Sequence, residues 1–194
     1  MTINRTAGHL NIDKVPASDI AKKFKTPCYV YSKLAIEQSF NQFKYAFEGR
    51  KNLICYAVKA NSNIAIINIL ARLGSGFDIV SGGELLRVIA AGGDPGKIVF
   101  SGVGKTTEEI NLALRKKIKC FNVESESELY RISDVAQKLN ISTRISFRVN
   151  PDVDAKTHPY ISTGLKENKF GVDFEDAIRL YKVATELPHV NPTG

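Results

Sequence analysis

The 194-residue chain carries 27 lysines and arginines against 20 acidic residues, a formal net charge of +7, and 43% of its residues are hydrophobic. That composition fits one globular domain or part of a larger one, and it excludes a disordered or fibrous chain. The basic residues are scattered, the densest runs being Lys22-Lys23, Arg115-Lys116-Lys117 and Lys166 to Lys169. A solvated surface, or an electropositive mouth for an anionic ligand, is therefore expected ahead of an RNA- or DNA-binding module.

Pro16, Ala17, Ile20, Ala21 and Phe24 predict a short opening helix, closed before Thr26-Pro27, and Cys28 to Tyr31 then reads as a strand. Ser32 is a suitable N-cap for a helix carrying Ile36, Phe40, Phe43 and Phe47 at three- and four-residue steps. A regular alternation follows, with strands expected at Leu53–Val58, Phe77–Val80, Ile98–Ser101, Cys120–Val123 and Arg144–Val149. Helices are expected between them at Ile64–Leu73, Glu84–Ala91, Thr107–Lys117 and Glu126–Leu139, and a last one at Phe174–Leu187.

Repeated strand–helix units imply parallel strands and right-handed crossovers. Several strands are apolar nearly throughout, as expected when both faces are covered. The end, Pro188 to Gly194, reads as the approach to a further strand. A full (β/α)8 barrel needs about 250 residues, so the expected fold is an incomplete α/β barrel, with an open doubly wound parallel sheet as the alternative. Residues 1–31 would lead into the barrel and residues 32–194 would form its first part.

Cys28, Cys55 and Cys120 lack metal or redox spacing and read as reduced core thiols, and His9, His158 and His189 lie too far apart for a metal motif. No metal is expected. Met1 to Lys14 is polar and lacks the apolar stretch of a signal peptide, while Asn68 and Arg72 interrupt Ile64–Leu73. A soluble cytoplasmic protein is the expectation.

Ligands in parallel α/β folds bind at the carboxyl ends of strands. Those ends carry Lys59, Asp78 to Ser81, Ser101-Gly102, Glu124 and Arg148 to Asn150. Lys59 follows the apolar run Ile54 to Val58. A lysine there would be partly desolvated, which favours the neutral amine that attacks an aldehyde. A solvated lysine at a strand end is the competing reading. Asp78 would hold a neighbouring positive charge or cap the following turn. Arg148 could direct its donors at a ligand oxygen or make a structural ion pair. Ser101 to Thr106 ends in Gly-Lys-Thr between a strand and a helix, but the phosphate-loop motif requires a glycine where Val99 stands. The segment Asn150 to Gly171 is long and polar, and would hang over the mouth or reach a partner subunit.

Tyr56-Ala57-Val58-Lys59-Ala60-Asn61 resembles the cofactor-lysine motif of the alanine racemase-like, fold type III pyridoxal-phosphate enzymes. Phe77 to Glu84, Phe100 to Lys105 and Arg148 to Asp152 resemble its decarboxylase branch in the same order. His158 to Gly164, running on to Lys169-Phe170-Gly171, is similar to the loop of the bacterial diaminopimelate decarboxylase family. The resemblance implies a barrel that binds pyridoxal 5'-phosphate on Lys59, with Asp78 and Arg148 in the cofactor surroundings. It further implies decarboxylation of diaminopimelate to lysine by a homodimer. The phosphate site and a C-terminal β domain would lie beyond Gly194, so these residues alone are expected to lack turnover. A related racemase, an ornithine-, arginine- or carboxynorspermidine-type decarboxylase, and a non-catalytic pyridoxal-phosphate-binding protein remain open.

Overall fold

The structure, a computed structural model, describes residues 2–151 and 170–194. It opens with an antiparallel sheet not expected from the sequence: β1 (Ile3–Thr6), β2 (His9–Ile12) and β3 (Val15–Pro16). Ala7 and Gly8 turn the first hairpin with φ of 49° and 79°, the left-handed pair that a two-residue hairpin requires. Asp13, in the second turn, accepts hydrogen bonds from Ser32 Oγ at 2.5 Å and the Leu34 N–H at 3.2 Å. The small sheet is thereby tied to the start of a later helix.

Helix α1 spans Ala17–Phe24, and α2 spans Lys33–Ala46 with Ser32 as N-cap, accepting from the Ala35 N–H. The expected strand Cys28–Tyr31 is not one. The run joins no ladder among the described residues, and Tyr29 is 92% exposed. A β-prone segment becomes a strand only where a neighbour supplies its hydrogen-bonding partners.

The main sheet comprises β4 (Cys55–Ala57), β5 (Gly76–Ile79), β6 (Ile98–Phe100), β7 (Cys120–Val123), β8 (Thr143–Phe147) and a late strand, Val190–Pro192. Helices α3 (Ile64–Arg72), α4 (Gly82–Ala90), α5 (Thr107–Arg115) and α6 (Glu126–Leu139) alternate with its first strands. Two short strands, β9 (Val149–Asn150) and β10 (Val172–Asp173), pair in parallel, and α7 (Phe174–Glu186) precedes the late strand, β11. All main-sheet pairings are parallel, in the order β11-β8-β7-β6-β5-β4. This is the incomplete α/β barrel.

Here the sequence reading needs a correction, because Pro188 to Gly194 already contains a strand. Val190 pairs with Thr143, and Pro192, the last residue of the strand, lies opposite Ile145.

Alternation along the strands divides the sheet. Phe77, Ile79, Ile98, Phe100, Phe121, Val123 and Ile145 are fully buried against the helices, where Leu85, Val88, Ile110, Leu129 and Ile132 meet them. Each such side chain stabilises the fold by about 1.5–3 kcal/mol. The opposite face carries Asp78, Val99, Asn122 and Ser146, all half-buried. Among the described residues, then, only one face is covered by helices, not both.

Candidate active site

The carboxyl ends of β4 to β8 converge on one end of the sheet. Lys59 sits on a single 3-10 turn, Val58–Ala60, directly after β4. Registration of Ala57 with Asp78 places Lys59 just beyond Asp78 on the adjoining strand. The lysine is exposed, so the expected desolvation is not found. No described residue forms an ion pair or hydrogen bond with its amine, and it is not paired with Asp78.

Asp78 is instead held by a relay across three strands. Asn122 Nδ2 donates to Ser101 Oγ at 2.9 Å, and Ser101 Oγ donates to Asp78 Oδ1 at 2.5 Å. The serine hydroxyl has one proton, so accepting from Asn122 commits that proton to Asp78. The carboxylate's orientation is thereby set. Its charge is felt by Cys55, whose thiol is raised first by burial and then by Asp78. Burial pushes the Cys120 thiol up to about 11. Both thiols are therefore held in the poorly nucleophilic protonated form.

Arg148 follows β8 directly. Its Nη1 lies 3.3 Å from both oxygens of Glu124, which is 5% exposed, and its guanidinium covers the Phe170 ring at 4.9 Å. The ion-pair reading of Arg148 is thus the one realised, although its side chain is 41% exposed and its fork is only partly engaged. Gly171 is required behind it. At φ 82°, a Cβ there would sit 2.6 Å from the Arg148 carbonyl oxygen, which accepts the Val172 N–H at 2.8 Å.

The loops between these ends are closed by carboxylates. Ser81, Thr106 and Ser125 cap α4, α5 and α6, each with a glutamate three residues on: Glu84, Glu109 and Glu128. Glu109 also accepts from the Gly82 N–H at 2.7 Å, and Glu124 from the Gly102 N–H at 2.8 Å. The spacing of a serine or threonine with a glutamate three places later was the sequence signal for this arrangement.

This accounting also disposes of the phosphate-loop likeness. Lys105 is 2% exposed and its Nζ is taken by Glu128 at 2.6 Å, while the Gly102 N–H is taken by Glu124. Neither is available to a phosphate.

The sequence reading singled out Lys59, Asp78 and Arg148. The structure sets all three at one end of the sheet but brings none into contact with another. Ser101, Asn122 and Glu124 are what hold Asp78 and Arg148. The expectation for the His158–Gly164 loop falls on residues outside those described. Chemically, the end offers a primary amine that no described residue pairs, an oriented carboxylate and a guanidinium whose Nη1 is held by Glu124. That donor set fits the aldehyde and ring of a pyridoxal cofactor. Its nearest glycine amides, of Gly82 and Gly102, are already occupied and do not form a phosphate cradle.

A family model described as the pyridoxal-binding domain of pyridoxal-dependent decarboxylases matches residues 33–194. A diaminopimelate decarboxylase of Vibrio cholerae is 57% identical over 187 residues, covering 96% of this chain and 45% of that protein. Among solved structures, the diaminopimelate decarboxylase of Helicobacter pylori complexed with L-lysine is 50% identical with a TM-score of 0.85, covering 90% of this chain and 45% of that one. The diaminopimelate decarboxylase of M. jannaschii superposes with a TM-score of 0.92 at 43% identity, covering 100% of this chain and 46% of that one. The chain spans less than half the length of these relatives.

Proposed function

Because the chain belongs to the pyridoxal-dependent decarboxylase family through the pyridoxal-binding domain, we propose that it is the lysine-bearing part of an enzyme that converts meso-2,6-diaminopimelate to L-lysine and carbon dioxide. The observation that carries this reading is the exposed Lys59 amine at the end of β4, which no described residue pairs, beside strand ends that carry Asp78, Ser101 and Arg148. The substrate assignment is supported by the 57%-identical relative of that name and by a neighbour solved with L-lysine.

Residues 32–194 form the cofactor-binding part, preceded by residues 1–31. Lys59 Nζ would hold the aldehyde carbon of pyridoxal 5'-phosphate: lysine is the side chain that carries the primary amine this linkage needs, and Lys59 is the exposed lysine directly after β4. Bound there, the cofactor supplies a conjugated cationic ring that takes up the electron pair left by a departing carboxylate. Asp78, kept in orientation by Ser101 and Asn122, would belong to the surroundings of the bound cofactor and set a carboxylate of fixed direction there. Arg148, anchored on Glu124, keeps its remaining donors for a ligand oxygen. Family resemblance supports a cytoplasmic homodimer. No described helix is long and apolar enough to cross a membrane.

The test uses the full-length protein. After incubation with pyridoxal 5'-phosphate and reduction with borohydride, peptide mass analysis should find the pyridoxyl group on Lys59, and Lys59→Ala should abolish carbon dioxide release from diaminopimelate. Modification at other lysines only, or release that survives Lys59→Ala, would refute the assignment. Faster release from ornithine or arginine would overturn the substrate alone.

A further inference from the structure

One buried charge is not used by this chemistry. Lys105 Nζ donates to the Gly102 carbonyl at 2.7 Å and the Asn122 carbonyl at 2.8 Å, and pairs with Glu128 Oε1 at 2.6 Å. The other oxygen of Glu128 accepts the Glu124 N–H at 2.9 Å. Glu124 in turn accepts the Gly102 N–H and receives Arg148. The contacts close a ring: Lys105, Gly102, the Glu124 carboxylate, the Glu124 amide, Glu128 and back to Lys105.

Both arms of the site leave from that ring. Asn122, whose carbonyl holds Lys105, sends its side chain to Ser101 and so to Asp78. Glu124, whose amide is held by Glu128, carries Arg148. Resting on the proposed function, we infer that Lys105 and Glu128 are a positioning pair that sets Asp78 and Arg148 for the bound cofactor.

The charge balance supports the inference. Glu124 and Glu128 are each 5% exposed. Arg148 sits on Glu124 and Lys105 on Glu128, so without Lys105 the Glu128 carboxylate would be buried with its cation gone, a costly arrangement. An apolar pair of the same volume could fill the space without loss of stability. It could not accept the Glu124 N–H or bind the Gly102 and Asn122 carbonyls.

The experiment compares full-length wild type with the neutral double variant Lys105→Met/Glu128→Gln, with Arg148→Lys, and with the two combined. The readouts are the dissociation constant of pyridoxal 5'-phosphate and the visible circular dichroism of the bound cofactor. The double variant should bind the cofactor about tenfold more weakly with altered dichroism, and adding Arg148→Lys should cost less than the sum of the separate losses. Should the double variant not fold, Glu128→Gln alone carries the test, since it keeps an acceptor for the Glu124 N–H and leaves Lys105 its two carbonyls. Unchanged affinity and dichroism in a folded variant, or strictly additive losses, would overturn the positioning role. A wild type that fails to load Lys59 would instead sink the proposed function, and this inference with it.

Discussion

Replacing Gly171 by alanine tests the geometry behind Arg148 most directly. Two costs meet at this position. Its φ of 82° is left-handed, which costs an L-residue about 1–2 kcal/mol. The new Cβ would also lie 2.6 Å from the Arg148 carbonyl oxygen, which is backbone and is itself held by the Val172 N–H. Relieving that contact requires a backbone shift that sacrifices the hydrogen bond, at about 1–2 kcal/mol. Together the loss is about 2–4 kcal/mol, a large part of the roughly 5–15 kcal/mol by which domains are stable. Gly74 is the internal control. Its φ is 89°, yet a Cβ there meets nothing within 4 Å, so Gly74→Ala should incur only the backbone cost. Urea unfolding of both variants separates the two contributions. Equal losses at the two positions, or a larger one at Gly74, would refute the clash with Arg148.

Two further predictions concern titrating groups. Burial opposes ionisation of Glu109, but hydrogen bonds from the Thr106 and Gly82 N–H groups and the Thr106 hydroxyl outweigh it and hold the carboxyl below its ordinary value. A depressed folded value means stabilisation that is complete above the unfolded pKa of about 4.3 and lost as pH falls through the folded one. Glu109→Gln should therefore flatten the fall of the urea midpoint on acidification; a slope matching wild type would contradict this. Among the thiols, Cys28 is exposed whereas Cys55 and Cys120 are raised by burial. A disulfide reagent at neutral pH should show a single fast thiol that disappears in Cys28→Ser, and a fast phase that survives the substitution would show the other two to be more reactive than their burial allows.

The parallel strands and their helices were legible from sequence because each strand is a short apolar run bounded by a helical pattern. Residues such as Phe77, Ile79, Phe100 and Phe121 are fully buried, and burial of this kind leaves a hydrophobic signature. The N-terminal sheet was not legible, because Ile3 and Leu10 are exposed at 54% and 42% and no apolar alternation marks the strands. Cys28 to Tyr31 failed for the opposite reason, having strand-like residues without a partner. Lys59, Asp78 and Arg148 could be placed at strand ends from the sequence, and the structure sets them there. The role of Lys105 could not, because a lysine's burial is a property of the fold, and Gly104-Lys105-Thr106 spells the end of a phosphate loop whether its amine faces a ligand or Glu128. The serine or threonine with glutamate three residues later is present in the sequence and would have marked the helix caps and the closure by Glu109, but not that by Glu124.

Those closures run in one direction along the chain. The Gly82 amide waits for a carboxylate 27 residues later, at Glu109, and the Gly102 amide for one 22 residues later, at Glu124. On a ribosome, where folding follows emergence of the chain, each loop at the mouth is therefore finished only when the following unit has been synthesised. A chain cut just before Glu124 would contain β5 and β6, yet lack the acid that completes the loop after Ser101.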